Sequence, residues 1–245
     1  MNRSTLRIKF VQFLINCNER LLFYPKLRSF YAGRIGGRIS RNESIIVFDV
    51  GANKGQTIDF FLKINKSAII YAFEPNPRLY HTLKNKYSLN TNIQIFNLGI
   101  SNINGALELK ETVTDETSSF EQLNYDSKYL QMKVNVLGVR KEEVINKKYF
   151  VKVTRLDDFI KKEKIHKIDV LKIDTEGHEL KCLEGLFPIK NCEIECIQLE
   201  KHNDDMYLNT DDVKEVPIFL DSMGYNKLTL IKHGFGGLEE CIYEK

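Results

Sequence analysis

The stretch Ile45-Ile-Val-Phe-Asp-Val-Gly-Ala-Asn-Lys-Gly55 limits the fold of this chain more sharply than any other. Ile45 to Phe48 is a short apolar run, rich in β-branched residues, that suits a strand buried on both faces of a parallel sheet. Asp49 ends the run. Gly51 and Gly55 then bracket a tight turn holding Ala52, Asn53 and Lys54. After Gly55 the apolar spacing becomes helical, with Ile58, Phe61 and Leu62. A strand, a glycine turn and a helix N-terminus together make a ligand cradle. Glycine allows positive φ and close backbone approach, and the first helical N–H groups point at whatever sits there. Such a turn also occurs as an ordinary strand-to-helix connection, so its meaning depends on the residues downstream of it.

A second buried strand, Ala68 to Phe73, ends in Glu74-Pro75. A carboxylate at the tip of the second strand of a βαβ unit accepts bonds from ribose hydroxyls. The dinucleotide pattern Gly-x-Gly-x-x-Gly is absent, which makes a nicotinamide dinucleotide the less natural ligand. The form Asp-x-Gly-x-Asn-x-Gly followed by Glu-Pro resembles S-adenosylmethionine-dependent methyltransferases. FDVGANKGQT (48–57), FEPNP (73–77), NLGIS (97–101), SSF (118–120), TRLDDF (154–159) and LKIDTEGHEL (171–180) stand in the order found in FkbM-type methyltransferases. The resemblance covers residues 45–202.

The resemblance implies an α/β, class I methyltransferase (Rossmann-like) doubly wound sheet, mostly parallel, with an antiparallel C-terminal hairpin. It implies S-adenosylmethionine as cofactor. Asp49, Gly51, Ala52, Asn53 and Gly55 would surround its amino-acid part, and Glu74 would hold its ribose. Asn97, with the residues up to Ile100, would lie near adenine.

At 245 residues the chain reads as one domain with appendages. Residues 1–41 hold nine Lys and Arg against the single acid Glu19, a charge of +8 that leaves −5 for residues 42–245 of the +3 total. We expect a basic helical extension over 1–41 and a methyltransferase domain over 42–245. Leu6, Phe10, Phe13, Leu14, Cys17 and Leu21 form a helical stripe that Pro25 is expected to end. The segment suits a cap on the main domain, peripheral contact with a membrane surface, or partner docking. Five scattered cysteines with no zinc-site spacing suit free thiols in a reducing cytosol. The absence of a good signal peptide and of a span of ~20 apolar residues points to a cytoplasmic protein, membrane-peripheral at most.

Strands are expected at 45–50, 68–73, 93–98, 168–173 and 195–200, with helices at 56–64, 77–88, 156–162, 178–186 and 211–223. Residues 105–153 break this rhythm. Strands are expected at 106–110, 133–136 and 150–154, and 111–131 suit a polar loop over the site. Residues 225–231 and 239–243 read as a closing hairpin.

The strand 168–173 leads into Asp174-Thr-Glu176-Gly-His178, and the strand 195–200 ends in Glu200-Lys-His202. Ligands of open α/β sheets bind beyond the carboxyl ends of strands. Asp174, Glu176, Glu200 and His202 are therefore the catalytic candidates, able to take the proton from an attacking hydroxyl. His178 suits either this cluster or an exposed first helical turn. The same groups could hold a divalent metal, Mg²⁺ or Mn²⁺, although metal-free catalysis is the favoured reading. His81, His166 and His233 lack acidic neighbours at useful spacing and read as surface residues.

The resemblance implies as acceptor a hydroxyl on a glycan, a glycolipid or a related small molecule. A nucleic-acid or protein methyltransferase using the basic arm is a second reading. Asp174-Thr-Glu-Gly stands where a base-flipping enzyme would carry Asn-Pro-Pro-Tyr, which argues against nucleic acid. A non-catalytic nucleotide-binding module is a third.

Overall fold

A computed structural model describes residues 7, 10–11, 13–14, 17–40, 43–113, 118–202, 204–208, 212–233 and 238–245, and side chains at these positions except 35–40, 202, 212 and 213. The expected run 45–50 forms β1 (Ile46–Val50), followed by α2 (Gln56–Ile64), β2 (Ile69–Phe73), α3 (Pro77–Lys86) and β3 (Ile93–Phe96). α1 (Tyr24–Ser40) precedes them. The later half supplies α5 (Leu156–Glu163), β7 (Lys167–Ile173), α6 (Glu179–Glu184), β8 (Glu193–His202), α7 (Asp212–Ser222), β9 (Asn226–Lys232) and β10 (Leu238–Glu244). The main sheet has the order β3-β2-β1-β7-β8-β10-β9. β10 runs antiparallel to both β8 and β9, inserted between them, while β1, β2, β3, β7 and β8 are mutually parallel. This is the class I methyltransferase sheet, with the strand order reversing beside β1, where a ligand crevice forms.

The period-2 alternation of buried strands divides the core into two. Phe48, Val50, Leu171, Ile173, Ile197 and Leu199 face α5, α6 and α7, including Phe159, Leu183 and Leu220. Val47, Ile70, Val170 and Cys196 face the other way, against Phe61 of α2 and Tyr31 of α1. The N-terminal segment thus contributes to a core. Phe23, Leu27 and Tyr31, spaced one helical turn apart, are all buried, and Arg34 pairs with Glu244 of β10.

Two local expectations are corrected. The N-terminal helix does not stop at Pro25. Helical residues lead into a π-helical turn, Glu19–Phe23, and α1 continues from it through Gly36-Gly37. Pro25 comes just after the π-helical turn, where the bonding already departs from the α-helical ladder that a proline would break. The buried face is 23/27/31, whereas Phe10, Phe13 and Leu21 of the sequence stripe are exposed. Residues 133–136 are not a strand but part of α4 (Lys128–Leu137). Leu130, Val134 and Leu137 bury one helical face, Ser127 caps the start through Leu130 N–H, and Gly138 ends it at φ +69°. The alternation of Lys133 to Val136 is too short to outweigh that longer period. β4 (Gly99–Ile100), β5 (Gly105–Thr112) and β6 (Ile145–Thr154) form a separate three-stranded sheet, ordered β4-β6-β5.

Candidate active site

The turn after β1 is held open by backbone geometry. Gly51, Asn53 and Gly55 have φ of +88°, +48° and +83°. The N–H groups of Gly51 and Ala52 both donate to Phe73 O at 3.0 Å, and Asp174 N–H donates to Val50 O at 2.9 Å. The turns after β1, β2 and β7 are therefore stitched together. They are also crowded: a Cβ on Gly51 would lie 1.8 Å from the Asp174 carbonyl oxygen. Gly55 serves packing instead, since a Cβ there would meet the Tyr87 hydroxyl at 2.5 Å.

Glu74 is buried at the tip of β2, and its two oxygens accept from Asn53 N–H and Asn76 N–H, each at 2.8 Å. Burial pushes its carboxyl up to about 7, against the lowering effect of those two bonds. Asp49 is fully buried, and the Thr57 side chain is near enough to bond it, though too loosely to satisfy either oxygen fully. Burial pushes it up to about 7 as well, although Lys172 acts in the opposite direction. The Asn53 side-chain oxygen is a buried acceptor without a partner.

A cavity of about 560 Å³ opens over these turns, within the usual range for small-molecule sites. Gly51, Ala52, Asn53, Glu74, Asp174, Glu176 and Glu200 all line it. Asp49, Gly55 and Asn97 are not on its wall. Asn97 braces the rim from outside, donating to the carbonyls of Glu74 and Pro75 at 2.9 and 3.0 Å. Its neighbours Leu98 and Gly99 line the cavity, with Pro75 and Phe120. Gly99 makes room for Phe120, whose ring a Cβ would meet at 2.7 Å.

Asp174, Glu176 and Glu200 converge, each offering a carboxylate oxygen within 4.8 Å of the others. His202 belongs to β8, with its backbone opposite Leu238, but its side chain lies outside the described residues. Glu176 sits at φ +56°, a strained conformation for a side-chain-bearing residue. The Tyr207 hydroxyl donates to its carboxylate at 3.0 Å and the Ser119 hydroxyl to its carbonyl at 2.6 Å. Segment 118–121 is clasped in turn by a buried chain, in which His178 bonds Glu121 at 2.7 Å and Ser101 at 2.9 Å. Burial would raise the Glu121 carboxyl, but His178 and Lys181 outweigh it and hold it down at about 2. His178 is thus neither exposed nor on the cavity wall; it positions the segment above the site.

Lys172 is the residue that sequence reasoning missed. Asp49, Lys172 and Gln198 stand in register across β1, β7 and β8. The Lys172 ammonium lies 2.7 Å from Asp174 and 3.6 Å from Glu240. Burial alone would lower it, but Asp174, Glu240, Glu200 and Asp49 hold it well above its usual range. Gln198 donates to Glu240 at 3.1 Å and accepts from the Tyr31 hydroxyl at 2.6 Å. A lysine between the buried apolar residues Leu171 and Ile173 was the available signal, since a buried ammonium requires a partner. His233 also corrects the surface reading. It lines the cavity 3.7 Å from Glu240, and its ring stacks on Phe23 with centroids 4.0 Å apart.

The profile described as Methyltransferase FkbM domain matches residues 49–227. This chain belongs to the FkbM methyltransferase family. The 2-O-methyltransferase NoeI of Sinorhizobium fredii (strain NBRC 101917 / NGR234) is 24% identical over 140 residues, which are 57% of this chain and 56% of that protein. The chain therefore matches only about half the length of this relative. Among solved structures, the precorrin-6y C5,15-methyltransferase of Geobacter metallireducens GS-15 superposes with a TM-score of 0.46 and 12% identity, over 90% of this chain and 88% of that one. M. capricolum TrmK, in complex with S-adenosylhomocysteine, gives a TM-score of 0.46 at 15% identity, over 95% and 68%.

An FkbM methyltransferase uses S-adenosylmethionine, and the cradle has the chemistry this cofactor needs. Its ammonium requires acceptors; on the cavity wall the Asn53 side-chain oxygen has no partner, and the Asp49 carboxyl, buried behind the wall, can act on it only through its field. Its carboxylate requires donors. The N–H groups of Gly51 and Ala52 are already engaged, but Gln56 and Thr57 line the cavity in the first turn of α2, where N–H groups have no intrahelical acceptor. Each Glu74 oxygen keeps a lone pair for a ribose hydroxyl.

Proposed function

We propose that this chain methylates a hydroxyl of a glycan, a glycolipid or a related small molecule. The carrying observation is the convergence of Asp174, Glu176 and Glu200 on the same cavity wall as the cofactor cradle. In this reading Asn53 and the first turn of α2, backed by the buried Asp49, hold the amino-acid part of S-adenosylmethionine, Glu74 its ribose, and Pro75, Leu98 and Phe120 its adenine. The bound cofactor supplies an electrophilic methyl on a sulfonium. The protein's task is to align the acceptor oxygen and take its proton. Asp174 and Glu200 stand where an acceptor would approach, and Lys172 fixes Asp174 at 2.7 Å. The 2-O-methyltransferase NoeI supports oxygen as the atom methylated.

The same three carboxylates favour a second reading, in which a divalent ion such as Mg²⁺ or Mn²⁺ binds the acceptor oxygen. Against it, Lys172 already supplies a cation to Asp174 and Glu240. Labelled S-adenosylmethionine offered with fractionated glycans, lipids, RNA and proteins tests the acceptor class. Glu200→Gln and His202→Ala should lower transfer at least tenfold at nearly unchanged cofactor affinity. Label appearing only in RNA or protein would overturn the reading. Loss of activity with EDTA, restored by Mn²⁺, would select the metal.

A further inference from the structure

The cavity does not end at the carboxylates. It runs on between the N-terminal helical segment and α4, lined there by Leu14, Tyr129, Met132, Lys133, Val136 and Leu137. Leu14, Met132 and Val136 line it while remaining 45%, 53% and 50% exposed, so they form its mouth. The same N-terminal segment also carries Phe10, Phe13, Leu21 and Leu22, each more than half exposed. The two helical segments are neighbours: a Cβ on Gly138, the residue ending α4, would meet the Arg7 guanidinium at 3.2 Å.

The inner and outer parts of this cavity differ in chemistry. The inner part presents carboxylates, Lys172 and Gln198, which suit hydroxyls. The outer arm presents mainly hydrocarbon, with the Lys133 side chain and the Tyr129 ring as its polar-tipped members. A further sugar ring would lose more hydrogen bonds to water there than these two groups replace, whereas an alkyl chain loses none. An exposed apolar strip continuous with a site is a ligand or membrane feature more often than a neutral one.

We propose that this arm holds the hydrocarbon chain of an amphipathic acceptor whose polar head reaches Asp174 and Glu200. The acceptor is then a glycolipid and not a free sugar. The proposal rests on the hydroxyl-methylation reading above. The continuity of the arm with the carboxylate chamber selects this occupant over a separate protein partner, because one molecule can span both.

Calorimetry with glucose and with octyl, decyl and dodecyl β-D-glucosides, each below its micelle concentration, tests it. Affinity should rise about two- to fourfold per added methylene. Leu14→Glu and Val136→Glu, on two different helical segments and at half-exposed positions, should each weaken dodecyl glucoside binding at least tenfold. S-adenosylhomocysteine affinity should be unchanged in both, which also checks folding. Affinity independent of chain length, or unaltered in both variants, would overturn the proposal. So would equal loss in both variants of binding to phosphatidylcholine vesicles with no chain-length effect on the monomeric glucosides, which would assign the strip to a bilayer surface. Chain-length-dependent binding without methyl transfer to any hydroxyl would overturn the methylation reading and leave the arm; transfer to sugars with no chain-length effect would do the reverse.

Discussion

Replacing Gly51 by alanine separates two costs that are usually mixed. Gly51 and Gly224 have nearly the same left-handed backbone, at φ +88° and +83°. Alanine at either position therefore carries a similar strain, roughly 1–2 kcal/mol. Their surroundings differ. A Cβ on Gly224 meets nothing within 4 Å, whereas one on Gly51 falls 1.8 Å from the backbone oxygen of Asp174. No rotamer change relieves a backbone contact, so the turns after β1 and β7 must part by about an ångström. Overpacking of this kind adds roughly 1–3 kcal/mol. Gly51→Ala should then cost ~2–5 kcal/mol against ~1–2 for Gly224→Ala. At about 2–4 °C per kcal/mol for a protein of this size, Gly224→Ala should lower Tm by about 2–8 °C and Gly51→Ala by about twice that or more. The parted turns carry the cradle and Asp174, so Gly51→Ala should also weaken S-adenosylmethionine binding at least tenfold while Gly224→Ala leaves it intact. Thermal melts by circular dichroism and calorimetric titration read both quantities. Equal Tm losses, or full cofactor affinity in folded Gly51→Ala protein, would refute the reasoning.

Glu74→Ala should weaken S-adenosylmethionine binding by ~1.5–3 kcal/mol, through loss of charge-assisted bonds to the ribose; unchanged affinity by calorimetry would move the site. Asp49 and Glu74 are both raised to about 7, and in the proposed site a cationic, hydroxyl-bearing cofactor would favour their ionised forms. Its affinity should fall roughly 10–100-fold from pH 8 to pH 6, and a flat profile would argue against both assignments. In the free protein the sign for stability is opposite. These carboxyls hold more protons folded than unfolded, so their contribution to stability falls as pH rises from about 4 to 7. Lys172→Met should destabilise the fold by about 3–5 kcal/mol, because it leaves Asp174 and Glu240 without the buried cation between them; chemical denaturation showing a loss below ~1 kcal/mol would contradict that.

Much of the fold was legible because it is written in local periods. The run Ile45–Phe48, its glycine turn and the helical spacing after Gly55 are short-range patterns, and each forms where its spacing indicates. Glu74 at the second strand tip and the acids after 173 and 199 follow from one rule, that parallel strands end on one edge of the sheet. Tertiary structure decided whatever depends on which residues meet across the sheet. Asn97 and Leu98 are adjacent in sequence, yet Leu98 faces the cavity and Asn97 braces the rim, because both lie in the connection between β3 and β4, where no local period sets the side and only the packing does. Lys172, Gln198 and Glu240 form one buried chain because β10 inserts beside β8, a placement that no local spacing encodes. Likewise, α1 buries Tyr31 against Gln198, 167 residues away. Local propensity sets each element's period. Partners this distant are set by strand order, and strand order is chosen by burial of the whole sheet at once.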